Sequence, residues 1–159
     1  MGFIDNGMKS SAPVDGTAAY QMAATGDLAG AWMILSRADS SSSVDIVYNK
    51  ALCLRAAGRR DEALGLARVA FRRLTEGVPQ RTFDPVGTAL ISSMAAPGPM
   101  NPGLPAADMT YAGLQARWLY CICLADCGED EECARVAAPL EQLGIAPIAN
   151  RGERVVTDG

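Results

Sequence analysis

The sequence predicts an all-α protein of about seven helices, arranged as antiparallel hairpins stacked on one another. Three observations predict it. Twenty-seven of the 159 residues are alanine, many at helical spacing. Over residues 60–76, Ala63, Leu64, Ala67, Ala70, Phe71 and Leu74 form one apolar stripe with Arg68 and Arg72 opposite it, which is an amphipathic helix. The third observation is a spacing that recurs around Gly26, Gly58 and Gly128. Seven residues before these glycines stand Ala19, Ala51 and Cys121, and five after them Ala31, Ala63 and Cys133. Nine after come Leu35, Ala67 and Ala137; twelve after come Ala38, Ala70 and Leu140. Small residues at the first two positions let two antiparallel helices approach closely, and apolar residues at the last two pack the hairpin on its neighbour. Such self-similarity marks a stacked repeat.

Taken in order, residues 1–14 form a flexible segment with neither the basic nor the apolar stretch of a signal peptide. Asn6 also stands where a myristoylation signal wants Ser or Thr. The first hairpin spans about 15–39. The serines at 40–43 link it to the second, about 44–76, whose first helix carries Val44, Val47, Tyr48, Ala51, Leu52 and Arg55 on one face. Asp61 and Glu62 suit the start of the next helix, and Gly77 with Pro79 ends it. An insert follows over 80–107, with a short helix capped by Asp84 and started by Pro85. Its second part, 97–108, has four prolines and two glycines and reads as a loop. Asp108 then caps the first helix of a third hairpin, about 108–144, in which Pro139 should kink or stop the last helix near Ala138. A tail covers 147–159.

Composition narrows the function. A chain of 16.7 kDa that is 49% hydrophobic and 20% charged forms one domain with a core rather than a disordered chain. A net charge of −4 and a pI near 4.8 argue against a generic nucleic-acid surface. The sequence has no histidine, which excludes Ser-His-Asp and Cys-His catalysis and histidine-based zinc sites. The longest apolar run, 118–125, is far short of the roughly 20 residues of a membrane span. Five cysteines, an odd number, fit a reducing compartment, so the expected location is cytoplasmic.

Neither the cysteines nor any motif assembles a catalytic or metal site. Cys121, Cys123, Cys127 and Cys133 lack the short paired spacing of structural zinc, and Cys121 and Cys123 point about 200° apart on one helix. Compact buried thiols are the favoured reading, with a Cys127–Cys133 redox pair as the alternative. No phosphate-binding glycine loop or nucleophile elbow is present, so no cofactor and no enzymatic activity are expected. From Lys50 to Arg81 there are eight basic residues against three acidic ones, read as a solvated helix surface or, alternatively, a site for an acidic partner.

The segment 48–74, YNKALCLRAAGRRDEALGLARVAFRRL, resembles a tetratricopeptide repeat, with its small–x6–Gly–x4–Ala–x6–Ala skeleton and the run Asp61-Glu62-Ala63. Residues 17–38 and 116–140 resemble it more loosely, and the glycine spacing is 32 and then 70. The resemblance implies an α-solenoid of three such units plus the insert. It also implies a concave groove, lined by the first helix of each hairpin, that holds an extended peptide or a helix of a protein partner. By register that groove presents Tyr20, Tyr48, Asn49, Leu52, Arg55, Trp118 and Ile122. Asn49 stands where family members grip a peptide backbone or a C-terminal carboxylate. Gln115 and Leu119 occupy the family's basic positions, so the full carboxylate clamp is absent. The function expected is therefore non-enzymatic protein–protein interaction, with neither nucleic acid nor membrane as partner. The alternatives are a secretion-type chaperone and a self-associating assembly module, the latter as a homodimer.

Overall fold

The computed structural model describes residues 13–147, so the segment 1–14 and the tail 147–159 lie almost wholly outside the described residues. Among those described, all regular structure is helical. Eight helices follow in order: α1 (Gly16–Ala24), α2 (Leu28–Leu35), α3 (Val44–Ala56), α4 (Arg60–Thr75), α5 (Pro85–Ser92), α6 (Leu104–Ala107), α7 (Met109–Asp126) and α8 (Asp130–Gln142).

Three turns of one construction fold consecutive helices back on each other. Gly26, Gly58 and Gly128 all have positive φ, 91°, 81° and 75°. In each turn the residue after the glycine donates its N–H to a carbonyl five residues back: Asp27 to Met22 (2.8 Å), Arg59 to Leu54 (2.9 Å) and Glu129 to Leu124 (2.9 Å). This left-handed glycine ending satisfies the last carbonyls of a helix, and a side chain there costs about 1–2 kcal/mol. The spaced positions of the repeat are buried in all three hairpins. Ala19, Ala51 and Cys121 pair with Ala31, Ala63 and Cys133, and none is more than 3% exposed.

α1 thus packs on α2, α3 on α4, and α7 on α8; between hairpins, α1 and α2 lie against α3, and α4 lies against α7. Gly113 makes the last contact close, because a Cβ there would come within 3.0 Å of the Leu74 carbonyl oxygen. The main core runs through α3, α4, α7 and α8, and a smaller cluster built on Ala19, Ala31, Leu35, Ile46 and Cys53 seats the first hairpin. Trp32 packs against both.

Aspartates start four of the helices, each accepting from a backbone N–H three residues on. They are Asp15 (3.0 Å), Asp27 (2.8 Å), Asp84 (2.6 Å) and Asp108 (3.0 Å). Two details depart from the sequence reading. The proline-rich stretch 97–108 is not all loop: its end forms the one-turn α6, with Pro105 in the first turn, where its missing N–H costs nothing. And α8 runs through Pro139 to Gln142 rather than stopping at Ala138. Pro139 is exposed, as is Arg135, whose carbonyl would have received the missing N–H, so the lost bond falls on the solvent-facing side of the helix.

Candidate functional site

The stretch 97–103 carries three prolines in seven residues, which favour extended backbone and remove N–H donors while leaving every carbonyl in need of one. Side chains of α3 and α7 meet that need. The Tyr48 hydroxyl donates to the Gly98 carbonyl at 2.7 Å. Gln115 donates its amide to the same oxygen at 2.7 Å and to the Pro99 carbonyl at 3.2 Å. Asn49 pairs with both main-chain groups of Met100, its Nδ2 donating to the carbonyl (2.9 Å) and its Oδ1 accepting from the N–H (2.8 Å). The Met100 side chain is wholly buried in the main core. Residues 97–103 are therefore a strap, held across one face of the helices through its main chain.

Tyr48 and Asn49, expected to meet a partner, are engaged by the chain itself. Trp118, also expected in the groove, is 2% exposed and belongs to the same core. Its indole N–H and the Gln115 Oε1 are buried with no hydrogen-bond partner among the described residues. Burial pushes the Tyr48 phenol well above its ordinary range, against a smaller lowering by Gln115.

One turn further along the same helix faces, the surface is open. Leu52 and Ile122 are half-buried, and beyond them Arg55 grips Asp126 in a two-pronged ion pair (Nε–Oδ2 2.7 Å, Nη2–Oδ1 3.4 Å). Tyr20, half-buried on α1, takes no part in the hydrogen bonds that hold the strap. Six of the seven residues expected along one groove thus divide between a filled half and an open one, and Tyr20 belongs to neither.

The basic stretch is largely spent within the fold. Lys50 donates to the Ser36 and Ala38 carbonyls, Arg73 to those of Ser40 and Ser42, and Arg59 pairs with Glu62. Arg68 donates to the Tyr120 hydroxyl (3.1 Å), which donates in turn to Glu132 (2.9 Å), joining α4, α7 and α8. Tyr120 also stacks on Phe71 at 5.0 Å between centroids.

Cys127 and Cys133, the pair of the redox alternative, are both thiols here, with different hydrogen-bond partners. Cys133 points its sulfur at the Cys121 carbonyl (3.5 Å), while that of Cys127 lies near Arg60 and Asp61. Burial, with Asp126 adding, pushes the Cys123 thiol up to about 12. Among the described residues no cluster of Cys, Asp and Glu is arranged to hold a metal ion, and no helix is long and apolar enough to cross a membrane.

Sequence reasoning missed the strap and the donor role of Gln115. The available signal was Met100, a large apolar residue set among prolines and glycines where a solvated loop has little use for one. Compared with known proteins, the chain matches no family model, no curated protein and no solved structure.

Proposed function

We propose that the chain is a non-enzymatic, tetratricopeptide-like interaction module, an α-solenoid whose groove takes an extended segment of a protein partner. In this reading the strap is the resident occupant, and a partner segment displaces it. The single observation that carries the reading is how the strap is held. Asn49, Tyr48 and Gln115 grip main-chain groups of an extended segment, and one apolar side chain, Met100, fills the core beneath it. Main-chain bonds supply affinity and the pocketed side chain selects sequence, which is how extended peptides are recognised generally. The unpartnered Trp118 N–H and Gln115 Oε1 offer further points for an incoming backbone to satisfy. The partner segment expected is proline-containing with one large flexible apolar residue. Leu52, Ile122 and Arg55 lie further along the same helices, where a segment longer than the strap would continue.

The test replaces residues 97–103 by a Gly/Ser linker of equal length in a Trp32→Phe background, then adds a synthetic peptide of residues 96–103. Saturable change in Trp118 fluorescence, abolished by Met→Ala in the peptide, is the expected result. If the linker variant is poorly folded, the peptide should restore its helical circular dichroism. A folded variant indifferent to the peptide, or an unfolded one that it does not rescue, overturns the reading.

Self-association is favoured by one separate observation. Met33 on α2 and Val86 and Leu90 on α5 are large apolar residues exposed by 76%, 69% and 65%. Sedimentation that stays monomeric at high concentration would reject it.

A further inference from the structure

A second cleft lies on the other side of α7. Its walls are the connector 80–83, one face of α7 (Thr110, Leu114, Arg117) and the end of α8 around Leu140 and Leu143; its volume is ≈ 440 Å³. That is within the size range of small-molecule sites. Its lining is mainly apolar, includes two arginines, and contains no Asp or Glu. The two cations differ. Arg81 is ion-paired with Asp108 at the start of α7. Arg117 has no carboxylate partner among the described residues. One nitrogen, Nη1, donates to the Val136 carbonyl at 3.1 Å, and the guanidinium lies 5.0 Å from the centre of the Phe71 ring. These two contacts hold its position and leave the remaining guanidinium donors without a partner among the described residues. Burial lowers its pKa, with only the Cys121 thiol acting in the opposite direction.

A half-buried, immobilised cation without a counter-charge, at the wall of an apolar cleft, is matched by a ligand that brings the missing charge on an apolar body. We propose that this cleft binds a small amphipathic carboxylate, its carboxyl group on Arg117 and its hydrocarbon part against Leu114, Leu140 and Leu143. The carboxylate accepts from the free donors of a guanidinium whose planar fork matches its geometry. Gln80 and Thr110 also line the cleft and could meet a further polar substituent. The site is independent of the strap, because it lies on the opposite side of α7 and uses none of the residues that hold 97–103.

Octanoate and its uncharged counterpart octanamide, titrated by calorimetry into the full chain, test the proposal. Octanoate should bind with a dissociation constant on the order of 1 mM or below, and octanamide at least about ten-fold more weakly. Arg117→Met should remove that discrimination by weakening octanoate alone. Because Arg117 also holds the Val136 carbonyl, a second variant, Leu143→Trp, keeps the cation and fills the cleft mouth; it should abolish binding of both compounds. Equal affinity for acid and amide, octanoate binding unchanged in either folded variant, or no heat from octanoate up to solubility, would overturn the proposal.

Discussion

Gln115 and Arg117 are neighbours but one on α7, about 200° apart around the helix, and their surroundings differ accordingly. On the Gln115 side the chain folds back on itself, and a segment rich in prolines finds a donor for three consecutive carbonyls. On the Arg117 side the described residues supply apolar walls and a positive charge but no anion. One helix thus separates a surface whose chemistry is almost complete from one whose chemistry asks for something else. Burial alone does not distinguish a structural face from a binding face; the state of the polar groups does.

The comparison breaks most readily on the filled side. Met100→Ala leaves a cavity beneath the strap and should cost about 2–5 kcal/mol. Asn49→Leu leaves the Met100 N–H and carbonyl buried without partners and should cost about 2 kcal/mol or more. Urea unfolding measures both. Losses near zero would mean that the strap is not seated as described.

Alkaline pH tests the same buried interior. The Cys123 thiol, with an ordinary value of 9.0, is raised to about 12 in the folded chain. The folded state therefore holds this proton more tightly than the unfolded state does. Its contribution is intact below pH 9 and is lost as pH rises from there towards 12, at about 1.4 kcal/mol per pH unit. Tyr48, raised well above 10.0, adds to the loss in the same direction at higher pH. Urea midpoints should be level from pH 7 to 9 and then fall, less steeply in Cys123→Ala.

The smallest effect is expected at the open end of the face. Arg55 and Asp126 keep 43% and 27% of their side chains exposed, so solvent screens the pair. Arg55→Ala should cost less than about 1 kcal/mol, and the difference should shrink further in high salt. A loss as large as that of Met100→Ala would place the ion pair, and not the strap, at the centre of this face.

Much of the helical framework is legible in the sequence, because its causes are local. Gly58 must adopt a left-handed conformation, Asp84 and Asp108 cap the residues immediately after them, and Ala51 and Ala63 face each other whatever lies beyond their hairpin. The site is only half legible for the opposite reason. Register placed Tyr48 and Asn49 on the first helices' common face. Nothing within a few residues of Asn49 reveals that Met100, 51 positions on, provides its partner. Prolines announce an irregular segment without saying where it lies, so 97–108 read only as a loop. Pro139 misled in the other direction: its lost bond falls between two exposed residues, Arg135 and Pro139, and solvent exposure is a tertiary property. The cleft at Arg117 depends on three separate segments and left no local trace.

Hydrogen exchange at the Met100 amide, compared with that of Leu119 in α7, tests the central claim most directly. A strap bound as a ligand predicts strong protection of Met100 through its bond to Asn49, with an opening free energy below that of Leu119 because the strap can leave while the helices stay folded. Exchange of Met100 at the rate of a free peptide would mean that the strap is not held. Exchange of Met100 only together with Leu119 would mean that it cannot be displaced.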